Sequence, residues 1–212
     1  VADPDTWFAT KYADARRYGT KLSHYEPLER LLDCYPNPWI AAHLGGFPED
    51  LDFLDGLLER HGHLHLDASA TKWMVREVSR HPPERVQRFM ERWRGRLLFG
   101  SDIVTTDDHL EAKPDKTEMG AKASNEEAAF DLYASRYWAL RVLWEGEGER
   151  TSPIADPDLA MVDPKRHGPM DAPLLRGMHL SNTLLADFYF NAAAAIDPRG
   201  RRASEAVAHG RR

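Results

Sequence analysis

The chain has 212 residues, 42% hydrophobic and 29% charged, the balance of a soluble globular domain able to bury one sizeable core. Its formal net charge is −6, with basic residues scattered among acidic ones, which excludes the positive footprint that phosphate neutralisation on nucleic acid requires. No run approaches the roughly 18 consecutive apolar residues of a membrane span, and the opening Val1 to Asp5 has neither the basic nor the apolar region of a secretory signal.

One cysteine, Cys34, cannot form an internal disulfide, and its place in an apolar helical stretch predicts a small buried hydrophobe. The expected compartment is therefore reducing, and the cytoplasm is the natural one. A chain that opens on valine reads as processed, trimmed or incompletely sequenced.

Leu28, Leu31, Leu32 and Tyr35 stand at helical spacing and predict a helix over residues 25 to 35, stopped by Pro36. Residues 39 to 43 form a short apolar run bounded by Asn37-Pro38 and Gly45-Gly46, the length of a buried parallel strand. A helix over 48 to 61 follows, with Leu51, Phe53, Leu54, Leu57 and Leu58 on one face and Pro48 in its first turn. A second strand is predicted at 63 to 68, helices at 72 to 79 and 83 to 93, and a third strand at 97 to 100.

Three strands separated by helices imply βαβ crossovers and a parallel sheet. Beyond Asp102 the pattern loosens into a polar stretch over 103 to 125. A strong helix over 126 to 145, a proline-punctuated loop over 146 to 180 with the length of a lid or binding loop, and a last helix over 181 to 196 complete one domain. Residues 197 to 212 are expected to be a frayed tail.

In parallel α/β architectures functional groups collect at the C-terminal ends of the strands. The first strand ends on His43 before two glycines, the second on Asp67-Ala68-Ser69 and the third on Ser101-Asp102. Each residue alone has a simpler explanation, the histidine as a hydrogen-bonded structural residue and each aspartate as a helix cap. Three at equivalent positions favour a divalent metal and an activated water. A competing metal reading places His63, His65 and Asp67 on one face of the second strand; in the simpler one His61 and His63 lie in the turn entering that strand, away from the pocket.

The series Ala42-His43-Leu44-Gly45-Gly46, Leu66-Asp67-Ala68-Ser69, Leu98-Phe99-Gly100-Ser101-Asp102 and Asn191-Ala192 resembles the motifs ending the last three strands and closing helix of the amidohydrolase superfamily, in its second large branch of metal-dependent hydrolases and decarboxylases. The resemblance covers roughly residues 1 to 196. It implies a partial (β/α)8 TIM barrel, with the last three strands and their flanking helices present and the N-terminal half missing. It also implies one divalent metal ion, zinc by expectation. By position Asp102 would bind the metal and accept a proton from its water, and His43 would polarise the substrate or orient that water. The family's other ligands, a His-x-His pair and a fifth-strand histidine, have no counterpart here, and Val1 to Phe8 is similar to the loop that follows the latter.

Further pocket contacts are expected from Trp7, Asp67 and Trp73. On the helix over 126 to 145, Phe130, Tyr133, Tyr137, Arg141 and Trp144 share helical spacing. One reading makes them a pocket wall with Arg141 or Arg136 as an anion clamp, and the simpler one an amphipathic helix packed on the barrel. His24, His81, His109, His167, His179 and His209 read as surface or loop residues.

The function expected is a metal-dependent hydrolase acting on a C–N or C–O bond. A non-oxidative decarboxylase on the same scaffold and a catalytically inert fragment or interaction module are the alternatives. Expected partners are a small-molecule substrate and the missing barrel half, with a homo-oligomer as a further arrangement.

Overall fold

A computed structural model describes residues 12–117 and 120–197. Trp7 and residues 198–212 of the expected tail lie outside them. A short helix α1 (Ala15–Tyr18) leads to α2 (Tyr25–Cys34), β1 (Trp39–Ala41), α3 (Leu51–Arg60), β2 (Leu64–Asp67), α4 (Trp73–Val78), α5 (Pro83–Arg92) and β3 (Leu97–Leu98). The long helix α6 (Glu126–Glu145) follows, then β4 (Glu149–Thr151), α7 (Pro157–Val162), β5 (Leu174–Arg176) and α8 (Asn182–Ala186), which continues through a π turn (Asp187–Asn191) into α9 (Ala192–Ile196). No helix among the described residues is long and apolar enough to cross a membrane.

The alternation builds a three-stranded parallel sheet in the order β1-β2-β3, beside a two-stranded antiparallel pair of β4 and β5. The fold is thus mixed α/β, with no closed barrel among the described residues. In register, Trp39 lies beside Leu64 and Leu66 beside Leu97. This aligns the apolar face of each strand, and Leu64, Leu66 and Leu97 are buried against Leu54, Leu57, Leu58 and Phe89 of the helices. The opposite face carries Ile40, His65 and Asp67, and Ile40 is 52% exposed. Parallel sheets are ordinarily covered on both faces; the described residues pack this one mainly on one.

Arg96 ties the sheet to α3. Its guanidinium donates to the carbonyls of Leu58 (2.8 Å), His61 (2.6 Å) and Leu64 (2.6 and 2.9 Å), satisfying groups that the end of a helix leaves without intrahelical partners. Burial among carbonyls rather than carboxylates pushes its pKa down.

The outer edge of β3 is closed by the C-terminal helix. At the π turn the Phe188 carbonyl accepts from the Phe99 N–H (3.1 Å), and the Asp187 carboxylate accepts from the Gly95 N–H (2.7 Å). Phe188 packs edge-on against Phe99 and Trp144 at 5.8 and 5.2 Å between ring centres, which joins α6 to the same corner.

Several expectations are corrected. The helix expected from Pro48 begins at Leu51, because the Asp50 carboxylate caps it by accepting from the Phe53 N–H (2.9 Å). Cys34 is exposed: it follows the buried Leu32 by two residues, about 200° around a helix, and so points away from the core. The loop over 146 to 180 contains β4, α7 and β5. All three β4 side chains are exposed, so no alternation announces the strand, and its pairing rests on backbone groups and the cross-strand ion pair of Glu149 with Arg176. The backbone crosses itself beside it, where a Cβ on Gly177 would sit 2.2 Å from the Gly146 carbonyl oxygen.

The face of α6 also differs. Ala129, Ala139, Leu140, Leu143 and Trp144 are buried, whereas Phe130 is 71% exposed and Tyr137 is exposed. The aromatic spacing follows a stripe adjacent to the one the packing uses.

The two faces of the sheet predict unequal mutational costs. Leu66→Ala, in the packed face, is expected to destabilise the chain by about 2–5 kcal/mol, while Ile40→Thr on the open face changes stability by less than about 0.5 kcal/mol. Urea denaturation of both variants checks this, and equal losses would contradict the assignment of faces.

Candidate functional site

Beyond Ala41 the chain turns through four consecutive left-handed residues, His43 (φ 56, ψ 49), Leu44 (φ 51, ψ 46), Gly45 (φ 64) and Gly46 (φ 78). The glycines adopt this conformation freely, but each L-residue in it costs roughly 1–2 kcal/mol. Leu44 is buried, which offsets its share at roughly 1.5–3 kcal/mol for a fully buried leucine. The Tyr25 hydroxyl donates to the Gly45 carbonyl (2.7 Å), and desolvation together with nearby Glu49 raises the Tyr25 pKa well above its ordinary value, so the phenol stays a donor.

The other two strand exits are strained in the same way. Ala70 after β2 has φ 76 and Asp102 after β3 has φ 50. Four of the five non-glycine residues with positive φ among those described thus follow the ends of the parallel strands; the fifth is His179. Strain of this kind persists only where surrounding contacts over-determine it, and it clusters at functional sites.

Asp67, the last residue of β2, is the centre of those contacts. Its Oδ1 accepts from the His43 N–H (3.0 Å), from the Ser69 N–H (2.9 Å) and from the Ser69 hydroxyl. The Ser69 oxygen lies 2.8 Å from His43 Nδ1. An ionised carboxylate only accepts, so the Ser69 hydroxyl donates to Asp67, and Ser69 Oγ accepts from Nδ1–H of His43. The neutral imidazole then keeps its lone pair on Nε2. β3 closes on this network through Gly100, where a Cβ would stand 2.9 Å from Ser69 Cβ and 3.5 Å from Asp67 Cγ. Only glycine permits that approach.

Beside the network lies a cleft of about 280 Å³ whose lining includes Trp73, Asp102, Val104, His109, Leu132 and Arg136. The wall formed by α4 is anchored by a buried ion group. Arg76 reaches Asp156 at 2.5 Å and Glu77 at 2.8 Å, and Arg80 reaches Glu77 at 2.9 Å. Asp156 in turn caps α7.

Of the residues expected at a site, Asp102 and Trp73 line the cleft, and His43 stands edge-on to Trp73 with ring centres 6.3 Å apart. Asp67 lies behind His43 as its support. Arg141 is elsewhere, on a separate groove with Tyr137 and Trp138, and its guanidinium is held by Glu145 through two 2.8 Å hydrogen bonds. Trp7 falls outside the described residues. His63 lies in the turn entering β2 and His65 is the second residue of the strand, toward the end opposite His43, and His65 Nδ1 lies 3.2 Å from the His63 carbonyl.

His109 is a correction. Expected at the surface, it is buried, lines the cleft, and sits with Nδ1 2.5 Å from the Tyr133 hydroxyl. No spacing in the sequence marks it; the docking of the polar stretch on α6, through its contact with Tyr133, brings it to the cleft.

The donor set falls short of a metal centre. A catalytic zinc takes three protein ligands, and among the described residues no group of three or more His, Cys, Asp or Glu side chains could hold a metal ion. A metal here would need donors beyond those residues.

Removing the Asp67 carboxylate leaves two backbone N–H groups and a hydroxyl without their acceptor. Asp67→Ala is expected to cost about 2–3 kcal/mol, with Asp67→Asn recovering part of the loss because an amide oxygen still accepts. Wild-type denaturation midpoints in both variants would refute this role. Comparison with protein-family models, with curated proteins and with solved structures finds no match for this chain.

Proposed function

We propose that this chain carries the strand-end face of an amidohydrolase-like hydrolase that cleaves a C–N or C–O bond with an activated water, on a scaffold of partial (β/α) barrel type. The observation that carries the reading is the convergence of three strained strand exits, with His43 and Asp102 held at φ 56 and φ 50 beside one cleft. Sequential order in the parallel sheet is what consecutive barrel strands require. The open face and outer edge at Ile40 are where further strands of such a barrel would lie.

Asp102 is the base of this reading. Its carboxylate borders the cleft, so it is within reach of a water poised there and accepts its proton as the water attacks a carbonyl carbon. His43 presents Nε2 with Nδ1–H fixed by Ser69 and, through Ser69, by Asp67. In that tautomer the imidazole orients the water by accepting from it. As the tetrahedral intermediate collapses it takes the remaining proton of the added hydroxyl and passes it to the leaving group, and the Asp67 carboxylate stabilises the transient imidazolium through the serine. No step here runs through a metal.

Asp102→Asn tests the assignment because asparagine tolerates positive φ, so the fold is expected to persist. Turnover of a panel of activated esters and anilides should fall by at least about 10²-fold, the lower bound for losing a general base. An unchanged kcat in a variant with a wild-type circular dichroism spectrum would remove Asp102 from the mechanism.

A further inference from the structure

The cleft beside Asp102 does not stand alone. A second, more open hollow of about 730 Å³ adjoins it, and the two share Lys72, Lys122, Leu132 and Arg136 in their linings. Three cations therefore stand at the threshold between the inner cleft and solvent.

Arg136 is the most telling of them. It is half-buried on the inward side of α6, and its Nη1 donates to the Leu132 carbonyl (2.7 Å) and more distantly to Ser135 Oγ (3.4 Å). No ion pair of Arg136 is found among the described residues, in contrast to Arg76, Arg80, Arg85, Arg92 and Arg141. Desolvation pushes its pKa down, opposed among the described residues by the Tyr133 phenol, and no carboxylate among those residues is paired with it. A guanidinium withdrawn from water without an acidic partner is a cost that an anionic ligand would relieve, and its planar fork matches a carboxylate.

The remaining charges set the ligand's size and valence. Asp102, Asp156 and Asp158 line the inner cleft and exposed Asp131 the outer hollow. Asp156 is paired with Arg76, and Asp158 also acts on that guanidinium. This leaves Asp102 on the inner side and Asp131 on the outer as two carboxylates against the three cations, a balance that accommodates one added negative charge better than two. Trp73, Val104 and Leu132 supply apolar wall.

We infer that the ligand of this cleft is a small monocarboxylate, held by its carboxylate at Arg136 with Lys72 and Lys122 at the rim while its other end extends toward Asp102. The inference rests on the reading of the cleft as the active site and gives that site its substrate class.

Isothermal titration of the full chain with benzoate, with benzamide as its neutral counterpart and with inorganic phosphate, tests it. Benzoate should bind saturably, more weakly as salt rises, and at least about tenfold more tightly than benzamide. Arg136→Met, which keeps the aliphatic stem, should weaken benzoate by about tenfold or more. Lys122→Glu, on the exposed rim, should weaken it too and decides the matter if Arg136→Met fails to fold.

Absence of benzoate binding, equal affinity for benzamide, tighter binding of phosphate, or wild-type affinity in folded Arg136→Met would each overturn the inference. Asp102→Asn separates the two readings, since it should retain or tighten benzoate binding while losing turnover. A loss of turnover without any benzoate site would sink the carboxylate assignment alone, and a benzoate site with undiminished turnover in Asp102→Asn would sink the hydrolytic role alone.

Discussion

The carboxylate of Asp67 is the point on which the strand ends depend. One oxygen gathers the amide of His43 from the exit of β1 and the amide and hydroxyl of Ser69 from the exit of β2, while the exit of β3 reaches it across the bare Cα of Gly100. Left-handed backbone at His43 is unfavourable in isolation. It persists because its amide has an acceptor with a full negative charge, and charge-assisted hydrogen bonds are roughly twice as strong as neutral ones. The same contact selects the imidazole tautomer, so one side chain decides both the shape of the turn and the chemistry available on it.

The core supports this corner from one side. Leu64, Leu66 and Leu97 bury their side chains under the helices, which sets the alternate positions, including Asp67, on the other face. Period-2 geometry thus delivers the polar end of β2 to the site without any specific contact being needed to aim it. Arg96 fixes the beginning of β2 by tying its carbonyl to the end of α3, so that the strand is held at its start by a cation and at its finish by an anion.

Much of this was legible before the structure. Helical spacing in Leu51, Leu54, Leu57 and Leu58 and the apolar runs at 39 to 43 and 97 to 100 were sufficient to place α3, β1 and β3, because burial imposes those patterns directly. The placement of His43, Asp67 and Asp102 at the ends of the parallel strands was legible through the apolar runs that precede them. Cys34 was misjudged because an apolar neighbourhood in sequence says little about the face of a helix. β4 left no pattern since its side chains are solvated, and the outward placement of Phe130 and Tyr137 depended on which of two neighbouring stripes α6 packs. Helical spacing offered Arg136 and Arg141 alike as an anion clamp, and only the docking of α6 set Arg136 on the cleft and Arg141 away from it; His109 joined the cleft through the docking of the polar stretch, which residue spacing does not encode.

The closure of β3 by the π turn has a kinetic consequence. Gly95 and Asp187 are separated by 92 residues, so the sheet acquires its last hydrogen-bonded neighbour from a segment made long after the strands themselves. Contacts of such separation form late, since loop-closure entropy must be overcome before they contribute. During synthesis on the ribosome β3 would remain an unprotected edge until the final helix emerged. Through that interval the outer edge of β3 is open to pairing with another strand, and the π turn is what withdraws it.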